Sequence, residues 1–314
     1  MTYYEPGNPF AKVSEASARR GIFESFPEFK IGEIKWISEG NSNVVYRVNN
    51  EYAFRFSKDK KADRNLEMEI GILPEIKKAV TVSVPEYEYI GKRQGLRFVG
   101  YKFIFGELFT ADILHSENRV VRKKCAESFA RFIKQLQGIS RTKIIAAGVP
   151  NNSNKDFYTK QLLDTRKHIY PFFGRACGKQ KASILEAYIE ELFQRFLLNR
   201  RNFTYEPALS YGGLDSNHVI YDPYRKDISG IVDFGGLHMD DPHFDLYRLY
   251  RCYGKSFLEE VAHLLLVKKT SHFFEKLEFY TQAKILRRLL RAVLVKDKEN
   301  MRERLRQLKD ITNH

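Results

Sequence analysis

The sequence predicts an α+β chain: a small antiparallel β unit followed by a larger, mostly helical one. Period-two alternation runs through residues 31–57, and helical spacing takes over from about residue 106. The only strand-like pieces in the second part are "HVIYD" and "ISGIVDF". At 314 residues the chain exceeds the usual size of one domain, so two parts, 1–105 and 106–314, are expected. A cleft between them is the default place for a site.

In order along the chain, "EIKWI", "VVYRV" and "YAFRF" read as three antiparallel strands. Adjacent Asn49 and Asn50 suit a tight hairpin turn that requires positive φ. "ADRNLEMEIGILPEIKKA" then places Leu66, Ile70, Leu73 and Ile76 at helical spacing, an amphipathic helix. "PEYEYIGKR" and "LRFVGYKFI" supply two further strands that close the unit. Beyond them come the helical patterns "VVRKKCAESFARFIKQLQ", "KASILEAYIEELFQRFLLNR", "SFLEEVAHLLLVKK" and a C-terminal pair.

Composition narrows the class. Hydrophobic residues make up 43% and charged residues 29%, and no run approaches the ~18 to 20 apolar residues of a membrane span. The start, "MTYYEPGNPFAKVSEASARR", lacks a basic segment followed by an apolar one, so no secretory signal is expected. Cys125, Cys177 and Cys252 are odd in number and lack CxxC spacing. A disulfide framework or zinc site is therefore not expected, and a reducing cytoplasm fits. The net charge of +14 attracts anionic partners and disfavours polycations. Much of the excess lies in "NRVVRKKCAESFARFIKQLQ" and "AKILRRLLRAVLVKDKENMRERLRQLKD", read either as solvated helix faces or as a footprint for phosphate, nucleic acid or an anionic membrane.

Chemistry concentrates in three segments. "GIVDFGG" sets Asp233 at the end of a β-branched run, where an Asp can bind Mg²⁺ bridging nucleotide phosphates. About twenty residues upstream stands "LSYGGLDSNHVIYDP", and downstream comes "HMDDPHFDLYRLY" with Asp241, Pro242 and Asp245.

On these segments the chain resembles the aminoglycoside phosphotransferase and choline kinase-like family, whose bilobal fold is like that of protein kinases. The family pattern is H-G-D-L-x-x-x-N or H, a hairpin, I-D-F-G-D, and D-P-x-x-D. The chain is most similar to the aminoglycoside 2''-phosphotransferase branch, which carries His at the position of His218. The resemblance covers nearly the whole chain. It implies a nucleotide-binding N-terminal lobe, a helical C-terminal lobe, and ATP or GTP with Mg²⁺ as cofactors.

Carried over position by position, "ISEGNSNVVYRV" with Gly40 and Ser42 becomes the loop over the phosphates. Arg55 stands where related kinases carry the phosphate-binding Lys, and Glu69 matches its helix partner; an ordinary ion pair between elements is the plain alternative. Phe98 to Ile104, including Tyr101 and Phe103, would hold the base. Asp233 matches the Mg²⁺ ligand and His218 the second metal-side residue, acting through water because Mg²⁺ prefers oxygen.

The departures fall on the catalytic loop. The family His becomes Tyr211 and the catalytic Asp becomes Gly213, which has no side chain to hold or deprotonate an acceptor hydroxyl. Asp215, two residues on, is the one nearby substitute, set against a loop-stabilising role. Gly236 replaces the acid after "DFG", and Gln137 stands where the family has His. A catalytically impaired, nucleotide-binding protein of the family is the first expectation. An active small-molecule phosphotransferase and a basic scaffold for nucleic acid or membrane are the alternatives. The acceptor is unknown, and a monomer is expected. An aminoglycoside acceptor, a polycation, would need acids such as Asp240, Asp241, Asp245 or those of "EAYIEEL" gathered at its site.

Overall fold

A computed structural model describes residues 13–40 and 42–312. The described residues gather into two compact units, one formed by those up to Pro150 with Tyr211–His238, the other by Asn151–Ser210 with those from Met239 onward. The first contains α1 (Glu15–Ser25), β1 (Ile34–Glu39), β2 (Asn43–Val48), β3 (Tyr52–Ser57), α2 (Lys60–Ala79), β4 (Tyr89–Arg93), β5 (Leu96–Lys102), β6 (Glu107–Leu108), α3 (Ala111–Ser116), α4 (Arg119–Gln137) and α5 (Arg141–Ala146). Next come α6 (Lys155–Asp164), a π-helical turn (Thr165–Ile169), α7 (Tyr170–Cys177), α8 (Lys179–Leu198) and β7 (Ala208–Ser210). The hairpin of β8 (Val219–Asp222) and β9 (Asp227–Ile231) precedes β10 (His238–Asp240), α9 (Leu246–Leu264), α10 (Ser271–Val295) and α11 (Lys298–Thr312).

The five-stranded sheet is antiparallel in the order β1-β2-β3-β5-β4. Its β2–β3 turn is set by Asn49 (φ 55°) and Asn50 (φ 56°), the conformation that the paired asparagines predict. Alternation along β2 sends Val44, Tyr46 and Val48 into a core with Phe54, Phe56, Phe98 and the Ala18 and Ile22 of α1. α1 was not among the expected elements. Its buried residues are only Ala18, Gly21 and Ile22, too few to print a helical hydrophobic period.

α2 forms as expected, capped by the Asp59 carboxylate accepting from Ala62 N at 2.7 Å. Its buried stripe differs from the expected one: Leu66, Glu69, Leu73 and Ile76 lie inside, and Ile70 is only half-buried. A carboxylate thus occupies the middle of an apolar face. β9, which leads to Asp233, is fastened to the segment after α2 by paired bonds, Ser83 N to Ser229 O at 3.1 Å and Ile231 N to Ser83 O at 2.9 Å.

The second unit is helical around an aromatic core in which Phe196 and Phe279 stack with centroids 3.5 Å apart, flanked by Tyr158 and Phe193. α9 begins ten residues before the expected "SFLEEVAHLLLVKK" because the chain helixes on both sides of a break at Gly254 (φ 83°). Asp241 is fully buried, accepting the Tyr280 O–H at 2.7 Å and pairing with Lys276 of α10.

Candidate functional site

Residues of β3, α2 and the loop after β9 meet around Arg55. Its side chain is 5% exposed and that of Glu69 1%, and their charged groups stand 2.6 Å apart. Burial disfavours the Arg55 charge, yet Glu69, Tyr87 and Asp233 outweigh it and hold the guanidinium well above its ordinary pKa. The same burial pushes the Glu69 carboxyl up against the pull of Arg55. Removing one partner of such a pair costs about 3–5 kcal/mol, because the other charge is left buried alone.

A third partner completes the pair. The Tyr87 hydroxyl donates to Glu69 Oε2 at 2.8 Å and accepts from Arg55 Nη2 at 3.2 Å. A tyrosine in "PEYEYIGKR" carries no signal that would have singled it out. Only its position beneath the pair does so. The Tyr101 ring lies 5.8 Å from that of Tyr87, buried, with its phenol pushed up to about 12 by desolvation.

Asp233 closes the cluster from the other side. Its Oδ1 accepts from Arg55 Nη1 at 3.1 Å, its side chain is 43% exposed, and its backbone is left-handed (φ 65°). A non-glycine residue held at positive φ is strained and is found where a site demands it. Tyr211 contributes to that hold. Its fully buried hydroxyl donates to Val232 O, just before Asp233, and its ring meets Phe234, just after, at 5.1 Å.

The loop around Gly213 is tightly folded. Gly212 (φ 73°) must be glycine, since a Cβ there would lie 2.6 Å from Gly236 O. Gly213 O accepts from Asp215 N at 2.6 Å and lies 2.9 Å from His218 Nδ1. A Cβ at Gly213 would stand 3.3 Å from both His218 Nδ1 and Tyr211 Cε1. The Asp215 carboxylate turns into its own loop, accepting from Asn217 N at 3.2 Å and facing His218 Nδ1 at 3.2 Å. These bonds hold the carboxylate within its own loop.

A carbonyl oxygen only accepts, so His218 Nδ1 carries the hydrogen and Nε2 faces Asp233 Oδ2 at 3.4 Å. In the neutral imidazole these are two lone-pair atoms pointed at one another, an arrangement a cation between them relieves. Donation of the other ring N–H to a carbonyl or carboxylate is the usual support of a metal-side histidine. Around this point Asp233 is shared between Arg55 and His218, while Glu69 pairs with Arg55 and Asp215 faces His218. Among the described residues no group of three or more His, Cys, Asp or Glu side chains is placed to hold a metal ion, so a cation here would rest on Asp233 and His218 and take its remaining ligands from phosphate and water.

The inner face of the β2–β3 hairpin carries a further sign. Opposite pairs Asn43↔Ser57, Val45↔Arg55 and Arg47↔Ala53 share that face, away from the Val44, Tyr46 and Val48 core. On it Asn43 Oδ1, Ser57 Oγ, Arg55 Nε and Arg47 Nε are all buried and reach no hydrogen-bond partner. Four such atoms in one row mark a surface built to meet a polar ligand.

The expected phosphate loop lies at the end of this row, where Gly40 N donates to Asn43 O at 2.9 Å and Ser42 O accepts from Lys58 N at 2.9 Å. Asn41 lies outside the described residues. Lys58, not singled out by the sequence, reaches Glu39 at 2.5 Å and Gly40 O at 3.3 Å. Phe103 follows β5, and its amide is already spent on Glu51 O at 2.7 Å. Gln137 is the last residue of α4, and Gly236 ends the short turn Phe234–Gly236.

Comparison with known proteins accords with this geometry. A sequence profile of a phosphotransferase enzyme family matches residues 33–280. The chain is similar to the structure of the GDP and kanamycin complex of APH(2")-IIia, at 25% identity over 93% of this chain and 97% of that one, with a TM-score of 0.86. The GDP complex of wild-type aminoglycoside 2'-phosphotransferase-IIIa matches at 25% identity over 94% and 97%, TM-score 0.86. Macrolide 2'-phosphotransferase type I shares the fold at 15% identity over 95% and 99%, TM-score 0.72.

Proposed function

Since the chain belongs to the phosphotransferase enzyme family, we propose that it binds a metal–nucleotide complex at the Arg55 cluster and that its transfer chemistry is crippled by the loss of the carboxylate at Gly213. The observation that carries the binding half is the row of orphaned buried atoms on the β2–β3 face. Each unmade bond costs about 1–3 kcal/mol; nucleotide oxygens would remove it at the donors Arg55 Nε, Arg47 Nε and Ser57 Oγ, and a nucleotide hydroxyl at the acceptor Asn43 Oδ1. Arg55, fixed by Glu69 and Tyr87, presents its Nε–H to the phosphates, and Asn43 and Ser57 flank them at the loop end. Asp233, with His218 beside it, would hold Mg²⁺, which supplies neutralisation of the phosphate charge when bound.

The chemical half follows from the loop. A general base contributes about 10² to 10⁴ in rate, and phosphoryl transfer leans mainly on positioning and electrostatics. Slow nucleotide turnover therefore survives, and efficient transfer to a chosen hydroxyl does not. In a melting experiment Mg·ATP or Mg·GTP should raise the transition temperature. Gly213→Asp should then raise turnover by about 10² or more. Absence of any shift at millimolar nucleotide would sink the binding half. A wild-type rate within the ordinary kinase range of about 1–100 s⁻¹ would sink the other.

A second reading, an active aminoglycoside kinase, draws on the likeness to a kanamycin complex. Against it, Asp240, Asp241 and Asp245 are each only 1% exposed and Glu190 is held by Arg166, which leaves Glu191, 68% exposed beside Arg195, as the displayed acid of that segment. Transfer of labelled phosphate to kanamycin by the wild-type chain would establish this reading in place of the first.

A further inference from the structure

The two basic stretches of the sequence do not fold alike. In α11 the cations alternate with Glu299, Glu303 and Asp310, and Arg304 is taken up by Glu303 and Gln307, as in a solvated face. α4 segregates its cations. Helical spacing puts Arg119, Lys123, Lys124, Arg131 and Lys134 on one outward arc with Glu127 as its only acid, while Val121, Cys125, Phe129, Phe132 and Leu136 face the core. The side chains of Arg119, Arg131 and Lys134 are exposed and meet no hydrogen-bond or ion-pair partner among the described residues. From Arg119 to Lys134 the arc runs about 22 Å along the helix.

The β8–β9 turn extends this arc. Lys124 Nζ donates to Arg225 O and Ser128 Oγ to Asp227 Oδ1, both at 2.8 Å, which fixes the turn against the helix. Arg225 is 84% exposed there, with Asp222 4.0 Å away. Two exposed apolar groups stand among these cations, Tyr224 at 97% and Val120 at 78%.

An extended anionic surface satisfies such a face, and the apolar groups decide its kind. A tyrosine and an aliphatic side chain projecting beside cations gain by entering a headgroup layer, where both charge and acyl carbon are met. A single-stranded nucleic acid instead asks for several aromatic rings interleaved with the cations, and the outward arc of α4 carries none. We propose that the α4 arc and the β8–β9 turn form a docking surface for an anionic phospholipid bilayer, with Tyr224 and Val120 seated among the headgroups.

The test is co-sedimentation of the full chain with vesicles of phosphatidylcholine, alone or mixed with about 30% phosphatidylserine, at about 0.1 M salt. Each basic residue near an anionic leaflet is worth about 5-fold in partitioning, so the mixed vesicles should bind at least about 100-fold more tightly than the neutral ones. Raising the salt to about 0.5 M should abolish most of that difference. Arg119→Gln with Arg131→Gln should weaken binding to the mixed vesicles by about 25-fold. Arg302→Gln with Arg306→Gln on α11 removes as much charge and should weaken it by less than about 3-fold. Tyr224→Trp should shift its emission to the blue on mixed vesicles.

Equal binding to the two kinds of vesicle, equal losses in the α4 and α11 variants, or an unshifted emission in Tyr224→Trp would each overturn the assignment. So would tighter binding of single-stranded RNA than of mixed vesicles at equal phosphate, which would make the face one for nucleic acid. The substituted side chains are exposed, and a thermal melt checks that each variant folds. Should one fail to, the comparison of vesicles and RNA on the wild-type chain still decides.

Discussion

Gly213 is a glycine with neighbours rather than an open gap. An added Cβ meets His218 Nδ1 and Tyr211 Cε1 at 3.3 Å, so any side chain here must shift a neighbour by a few tenths of an ångström. Gly213→Asp should therefore lose about 1–3 kcal/mol of stability even as it gains turnover, read as a lower denaturant midpoint. Tyr87 is the residue whose role came only from three dimensions. Tyr87→Phe keeps the ring and deletes the hydroxyl shared by Arg55 and Glu69. It should cost about 1–3 kcal/mol and shrink the nucleotide-induced melting shift, and an unchanged shift would remove Tyr87 from the site. That Arg55, Glu69, His218 and Asp233 would lie together was legible because charged residues at motif spacing stand out in a sequence. Tyr87 and Lys58 were not, since a strand tyrosine and a surface lysine are ordinary until their neighbours are known.

At the scale of elements, α2 carries the site because it places Glu69 in the middle of a buried stripe, four residues from Leu73 and three from Leu66. That stripe beat the expected one through Ile70 because Arg55 across the sheet gives a carboxylate somewhere to go. Asp59→Ala removes the cap of this helix and should cost about 1 kcal/mol, with the Glu69 end keeping its packing; a thermal melt checks it. The strands and the asparagine turn were readable from alternation and backbone preference. α1 and the first half of α9 were not, the one because it buries too little, the other because Gly254 breaks the period.

For the whole molecule, charge and titration give the observable trends. Burial lowers the pKa of His243, with Asp241 and Lys276 facing it, and burial also lowers that of His272. The unfolded chain then binds protons that the folded chain refuses, so stability is full above the ordinary histidine value near 6.5 and falls as pH drops below it. Melting temperatures should decline between about pH 7 and 5, and His243→Gln should flatten the decline; a flat wild-type profile would refute this. By itself the sequence determined the α+β class, the order of the main elements and the family, because periodicity and motif spacing are local properties. Only the tertiary structure decided that Asp215 is bonded into its loop, that Tyr87 locks Arg55 to Glu69, that the acids near Asp241 are buried, and that four polar atoms on one sheet face lack partners. Each of these depends on which distant residues share a dry space, and burial and partnership are written in no single stretch of chain.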